Sequence, residues 1–276
     1  MTNITINGEI GKKTTDAQRM LVSISWSLKS LFLGRKWTIY ILLTFLPLLF
    51  GILGEDLLLG GSSGIRAYND FVMDQLIGVF FTFGCLIICL PMSSDEITDN
   101  MMDLFFVRPL RRELIWTSRW IAANISVFII NAGVCFFYYF IFHFSEDNTD
   151  ALTEWIANLD YFFYTMIILF ASSLIYTTIF LIIGFLGKQG LTIGIFVAIF
   201  ELFIVRLIFL ENNMFLPRTN INIIADYYLD YFSFSIDTVI LGIDLDPFIW
   251  AFLYIIGATM AFFFIGAWFV KIKQLE

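Results

Sequence analysis

Two charged residues inside one apolar run are the first candidates for chemistry in this chain. Glu201 lies near the centre of the run 191–210, and Arg206 follows five residues later. A charged side chain at membrane depth is costly unless it is paired or hydrated, so it usually faces a partner helix or a cavity. The two residues therefore predict either a transport path or subunit interface, or a structural ion pair in which Arg206 can extend towards the membrane surface.

Other polar side chains within the apolar runs form no recognisable catalytic or metal-binding set. The asparagines Asn124 and Asn131 share one helix face, and the next run carries Ser172, Ser173, Thr177 and Thr178. Such residues are typical of hydrogen bonds between membrane helices. The thiols, which have no ligand-type neighbours in their runs, predict buried structural cysteines: Cys85, Cys89 and Cys135. We therefore expect no enzyme activity and no metal on this chain.

A charged connector, Asp95–Arg119, separates two long apolar runs. It begins with acidic residues, and its apolar side chains recur at helical spacing, which predicts one helical stripe: Ile97, Met101, Leu104 and Phe105. Pro109 then ends this helix, because proline lacks a backbone donor and disfavours helical geometry at the residue before it. The turn is rich in arginine, which can contact lipid phosphates or the carboxylates of a partner: Arg108, Arg111 and Arg112.

The elements that must position these residues are membrane helices. The chain is 59% hydrophobic and 14% charged, whereas about a quarter of the residues of a soluble domain are charged. Its apolar runs are long enough to cross a bilayer as helix, which predicts an all-α polytopic membrane protein with six transmembrane helices. The predicted segments are an N-terminal segment 1–36, the spans 37–54, 75–92, 116–144, 161–186, 191–210 and 248–270, and a tail 271–276.

The distribution of lysine and arginine predicts the orientation of these spans. With the N-terminus in the cytosol, nearly all basic residues fall on the inner side, and only Arg66 and Arg218 fall on the outer side. The sequence therefore predicts a multi-pass protein of the cell membrane with both termini cytosolic. Most acidic residues fall on the predicted outer side. The chain has a net charge of −8.

Two further helical segments are predicted outside the spans. Ala17–Lys36 places apolar residues at helical spacing among basic ones, which predicts an amphipathic helix at the membrane surface. The outer connection 211–247 is too apolar for a solvated loop. It predicts short outer helices before the sixth span, which either dip into the outer leaflet or form a lid packed on the spans.

The connector resembles that of the permease subunits of type-2 ABC exporters. In that family the second and third spans are joined by an acidic start, a helix, an Arg-Pro turn, a further Arg and a basic residue ten positions after the proline. The matching positions here are Glu96, Asp103, Leu104, Phe105, Arg108, Pro109, Arg112 and Arg119. Asn100 and Met101 stand where Gly and Thr are common in the family. The six spans, the surface helix and the apolar outer connection are also similar to that family.

The resemblance implies a transport subunit that works with cytosolic ABC ATPase subunits and with a second copy or a related permease, surrounded by membrane lipids and without nucleic acid. ATP and Mg²⁺ would bind to the partner ATPase, with no cofactor on this chain. The connector would be the cytosolic coupling helix, so that the coupling residues are Glu96, Asp103, Leu104, Phe105, Arg108, Pro109 and Arg112. The sequence contains no Gly-x-x-x-x-Gly-Lys-Ser/Thr phosphate loop, so any ATP hydrolysis is expected on another chain.

Two other functions stay open from the residues alone. The first is a secondary transporter or channel that uses the intramembrane residues Glu201 and Arg206. The second is a membrane assembly subunit that does not itself transport, in which these residues only stabilise the fold.

Overall fold

The protein is described by a computed structural model that covers residues 15–33, 38–42, 45, 68–69, 71–98, 112–144, 156–201, 216–229, 239–240, 243–244 and 246–272. These residues are predominantly helical. The helices are α1 (Asp16–Leu33), a π-helix (Phe71–Phe80) that continues directly into α2 (Phe81–Thr98), α3 (Arg112–Phe144), α4 (Leu159–Gly184), α5 (Lys188–Ile199), α6 (Pro217–Leu229) and α7 (Pro247–Ile272). A pair of two-residue antiparallel strands, β1 (Val239–Ile240) and β2 (Ile243–Asp244), precedes α7.

Four of these helical segments are long and apolar enough to cross a membrane, as expected of a multi-pass membrane protein. They are Leu76–Ser93, Glu113–Ile141, Leu159–Gly184 and Pro247–Lys271. The coarser prediction, a predominantly helical chain with several spanning helices, is thus confirmed. The count of six stays a prediction, because most of the first predicted span and residues 202–210 of the fifth lie outside the described residues.

Helix α4 lies at the centre of the described helices and packs against α2, α3, α6 and α7. Its sequence, LDYFFYTMIILFASSLIYTTIFLIIG, is apolar around most of its circumference, as is typical of a helix surrounded by neighbours. The packed interior contains fully buried side chains from several elements: Phe81, Trp116, Tyr138, Ile168, Leu169 and Phe180.

A tight turn joins α4 to α5, so the two helices form a hairpin. Gly187 adopts a φ of 63° in this turn, a left-handed conformation that glycine tolerates and most residues avoid. Gly190 on α5 lies so close to α4 that an added Cβ would stand 2.6 Å from the Ile183 carbonyl oxygen. Gly184 in turn packs against the Leu90 carbonyl of α2. The turn therefore lies at the same end of the bundle as the end of α2 and the start of α3, which we call the connector end.

Helix α1 packs against α3 at the connector end. Residues of its predicted apolar stripe, such as Ile24 and Leu28, are half-buried, and Ser23 is hydrogen-bonded to Ser118 of α3 at 2.9 Å between the two hydroxyl oxygens. Leu21, Val22 and Trp26 are exposed on the side away from α3. A helix thus covers most of the predicted segment and contacts α3, and its position at a membrane surface stays a prediction.

Helix α6 lies within the connection predicted to carry short outer helices. Its buried side chains include Ile221, Ile224 and Ala225, and it packs against α4 and α7. This packing is compatible with both arrangements that the sequence leaves open, so the choice between them stays open. The two short strands that follow it were not predicted.

Candidate functional site

A buried carboxylate is the centre of the most polar cluster within the described residues. Glu201 follows the end of α5 and is only 7% exposed. The Tyr176 hydroxyl of α4 donates a hydrogen bond of 2.7 Å to Glu201 Oε1. A phenol that donates to a buried carboxylate satisfies one oxygen of a charge that hydrocarbon would otherwise leave unpaired.

Arg218 of α6 supplies the positive charge of the cluster. It acts on the Glu201 carboxylate both by its charge and through its backbone N–H. Its guanidinium also donates from Nη1 to the carbonyl oxygen of Gly78, in the π-helix, at 3.0 Å. The guanidinium thus joins α6 to the π-helix through a backbone carbonyl, and its charge lies near the buried Glu201.

The first turn of α6 is itself suited to a carboxylate. The helix begins at Pro217, and proline is favoured at a first helical position because the missing N–H would have no partner there. The free N–H groups of a helix start, together with the helix dipole, attract negative charge. The Glu201 carboxyl group therefore lies where the start of α6 favours a negative charge.

Gly78 makes room for the guanidinium. A Cβ at this position would stand 2.9 Å from the Met73 carbonyl oxygen and 3.0 Å from Arg218 Nη2. The residue lies in the π-helix Phe71–Phe80, an uncommon helix type that is found often at functional sites. The absence of a side chain at residue 78 is what allows α6 and the π-helix to approach.

The hydrogen bonds of the cluster thus connect Glu201 to α4 and the start of α6 to the π-helix.

The structure places only part of the predicted site residues. Glu201 is buried as expected, whereas Arg206 lies outside the described residues, and the arginine described beside Glu201 is Arg218. Sequence reasoning missed Arg218 and Tyr176 as partners. Arg218 carried a signal in retrospect, as a lone base directly after a proline in an otherwise acidic connection; Tyr176 carried none beyond its place in a run with serines and threonines.

The other described polar residues of the apolar runs divide into two groups: some hydrogen-bond between segments, as predicted, and others bond within their own helix. Tyr40 donates to Asn131 Oδ1 at 2.6 Å, and Trp120 Nε1 donates to Thr178 Oγ1 at 2.7 Å, so both contacts join separate segments. Ser172 and Ser173 instead donate to carbonyls of their own helix. The three cysteines are buried and form no disulfide, and the described part of the chain has no group of side chains suited to a metal ion.

The predicted coupling residues lie at a boundary of the described chain. Glu96 lies in the last turn of α2 and Arg112 is the first residue of α3, while Asp103, Leu104, Phe105, Arg108 and Pro109 lie outside the described residues. The structure therefore positions both ends of the connector, and its interior stays a prediction.

The start of α3, which contains the last residues of the connector, is fixed to two other helices. Ser118 contacts Ser23 of α1, and Trp116 Nε1 donates to the Phe263 carbonyl of α7 at 3.0 Å. Glu113 forms an ion pair with Lys271 of α7 at 2.8 Å. We call this group of contacts the α3 base. A displacement of Arg112 along α3 would reach both α1 and α7 through these contacts.

Trp116 is the largest side chain of the α3 base, and it is 1% exposed. Its ring lies directly on Gly266 of α7, where an added Cβ would overlap the indole. Its other neighbours are the rings of Phe185 and Phe263. The packing of Trp116 thus depends on Gly266 in the last helix.

Comparison with known proteins adds no relative to this description. No protein-family model matches the chain, and no curated protein or solved structure matches it either.

Proposed function

We propose that this chain is the membrane-spanning permease subunit of an ATP-driven ABC exporter, with ATP hydrolysis on a separate ATPase subunit. The observation that carries the proposal is the connector Asp95–Arg119 and its attachment. Its sequence resembles the coupling segment of type-2 ABC permeases, and its last residues, from Arg112 onward, are part of the α3 base. A force applied to the connector would therefore act on α1 and α7 as well as on α3.

A second observation supports the same proposal. Helix α6 lies in the connection before the last helix, and this connection is where the resemblance implies short outer helices. Its thirteen residues span about 20 Å, which is less than the roughly 30 Å of hydrocarbon in a bilayer. A half-length helix packed among spanning ones is compatible with a transport subunit.

Photo-crosslinking tests whether the connector meets an ATPase. The photoreactive residue p-benzoylphenylalanine replaces Phe105 in the connector or, as the control, Phe136 near the other end of α3. Phe136 is 45% exposed and lies about 36 Å from Arg112 along the helix. We expect ultraviolet light to join Phe105, and not Phe136, to a protein with a phosphate-loop sequence, identified by mass spectrometry. Absence of such a product at Phe105, or equal products at both positions, would contradict the proposal.

Purified complexes provide the functional test. The tagged full chain is isolated from its native membrane with any bound ATPase, and ATP hydrolysis is compared for the natural sequence and for Pro109→Ala. We expect ATPase activity to co-purify with the natural sequence. In Pro109→Ala we expect this activity to be uncoupled from the permease, because the variant removes the proline of the connector turn. A gradient-driven carrier would instead purify without an ATPase. Its substrate uptake would depend on the membrane potential and would be abolished by Glu201→Gln.

A further inference from the structure

Helix α6 is attached differently at its two ends. At the end away from the connector, Tyr227 stacks on Phe248 with ring centroids 4.2 Å apart, and Tyr228 stacks on Tyr164 at 5.1 Å. These contacts are aromatic and lie where α4 and α7 begin. The other end of α6, which starts at Pro217, carries the charged contacts with Glu201 and Gly78. One end is thus held by stacked rings and the other by a few charge-assisted contacts.

The charged end of α6 contacts an element that leads to the connector. Gly78 lies in the π-helix, which continues without a break into α2 and ends at Thr98. Twenty residues separate Gly78 from Thr98, and this helical length is about 30 Å. The Arg218 guanidinium therefore binds one end of a continuous helical segment whose other end enters the connector.

Glu201 helps to position the contact between Arg218 and Gly78. Its carboxylate accepts from Tyr176 and lies at the N-terminus of α6, which keeps Arg218 at the level of Gly78. Loss of the Glu201 carboxyl group would remove the acceptor of the Tyr176 hydroxyl and the negative charge near Arg218. Loss of the guanidinium would remove the donor to the Gly78 carbonyl.

We propose that Glu201 and Arg218 are positioning residues that hold the buried start of α6 against the π-helix, so that movement of the π-helix–α2 segment is transmitted to α6. The transmission part rests on the proposed function, since it requires a partner that moves the connector. The positioning part does not, because it concerns contacts within this chain. The two parts therefore have separate tests.

Spin-label distances in nanodiscs test the positioning part. One label is placed at Asn222 of α6 and one at Ile167 of α4, and a reference pair joins Ile167 to Ile129 of α3; both isoleucines are exposed and Asn222 is half-buried. The natural cysteines are fully buried, so they are poor targets for the label. We expect Glu201→Gln and Arg218→Gln to broaden the 222–167 distance distribution at least two-fold and to leave the 167–129 distribution unchanged.

Matched glycine variants test the contact with the π-helix. Gly78→Ala would crowd both the Met73 carbonyl oxygen of its own helix and the Arg218 guanidinium, whereas Gly133→Ala on α3 places its methyl group in open space. Broadening in Gly78→Ala and not in Gly133→Ala supports the proposal. If Glu201→Gln lowers the yield, Glu201→Gln combined with Arg218→Gln removes both charges together. A 222–167 distribution equal to that of the natural sequence in these variants overturns the positioning role.

The complex with its ATPase tests transmission. We expect Mg²⁺ and a slowly hydrolysed ATP analogue to shift the 222–167 distance in the natural sequence, and Arg218→Gln to abolish that shift while ATP hydrolysis continues. A shift that persists in Arg218→Gln overturns transmission through this contact. If an ATPase co-purifies but nucleotide does not shift the 222–167 distance in the natural sequence, transmission is overturned and the positioning role is kept. If no ATPase co-purifies, the proposed function is overturned, and the positioning role is judged by the variants alone.

Discussion

The Glu201 cluster and the α3 base both tie helices together with polar contacts, but they do so in opposite environments. Glu201 is 7% exposed and its partners come from inside the bundle. The ion pair of the α3 base, Glu113 with Lys271, has side chains about 60% exposed. The α3 base is instead stabilised mainly by Trp116, which is buried and packs directly on Gly266. A charge is therefore decisive in the first region and of little weight in the second.

The difference follows from whether water can solvate a charge after its partner is removed. At the exposed pair, water and salt stabilise each charge when its partner is removed, so such pairs contribute roughly 0–1 kcal/mol. Glu201 is buried, so water replaces a lost partner there less readily than at the exposed pair. The two regions accordingly predict a large effect for charge removal at one site and a large effect for shape change at the other.

Removal of Arg218 is expected to have the largest effect. Arg218→Met removes both a charged donor to the Gly78 carbonyl and the positive charge near the buried Glu201. We expect a loss of unfolding free energy at the upper end of the about 1.5–3 kcal/mol that a hydrogen bond to a charged group contributes. Denaturation of the purified protein in detergent, followed by circular dichroism, measures this loss. Arg218→Met combined with Glu201→Gln should recover part of it. Equal stability of the double and single variants would show that the pair is not the cause.

Loss of the tyrosine hydroxyl is expected to have the next largest effect. Tyr176→Phe keeps the ring and removes the donor to Glu201, and hydrogen bonds to charged groups contribute about 1.5–3 kcal/mol. The same denaturation assay measures the change. Tyr227→Phe, on an exposed ring, is the control and should change stability by less than about 0.5 kcal/mol. A smaller loss for Tyr176→Phe than for this control would refute the role given to the hydroxyl.

A shape change at the α3 base should exceed any charge change there. Gly266→Ala places a methyl group into the Trp116 ring, and overpacking of this kind costs about 1–3 kcal/mol. Gly257→Ala lies on the same helix, and its added Cβ meets no atom within 4 Å of the described chain. We expect this control to be neutral or slightly stabilising, because alanine favours helix over glycine. Tryptophan fluorescence should shift only in Gly266→Ala.

The exposed ion pair should show the smallest effect. Lys271→Met removes the partner of Glu113, and we expect a change within about 1 kcal/mol that decreases further in high salt. Thermal unfolding at low and high ionic strength measures it. A loss as large as that of Arg218→Met would remove the distinction between the two regions.

Much of the helix content follows from local sequence. The runs that became α3, α4 and α7 are long and apolar, so their hydropathy alone is sufficient to predict helices. Helix α2 continues beyond Pro91 to Thr98, although the prediction ended the second span at Met92. A proline removes one donor and disfavours the preceding turn, but neighbouring helices can hold such a helix together.

The Glu201 cluster was predictable only in part. A carboxylate in an apolar run is visible from its local surroundings, and so is the need for a partner. Arg206 was the nearest candidate along the chain, but Arg218 reaches Glu201 because α6 starts beside the end of α5. That proximity depends on how separate helices pack, and no local pattern encodes it. The same holds for Tyr176, whose hydroxyl differs from other tyrosine hydroxyls only through its neighbour.

Helix α7 has a further consequence for how this chain meets its surroundings. Only 17% of its apolar window is buried within the chain, and large side chains such as Phe252, Met260 and Phe264 point outward. Its length of about 38 Å exceeds a typical hydrocarbon thickness of about 30 Å, so a thinner bilayer favours a larger tilt. Bilayer thickness therefore enters the energetics of this protein through α7, and its inner contacts with Trp116 and Glu113 carry that tilt to the first residues of α3.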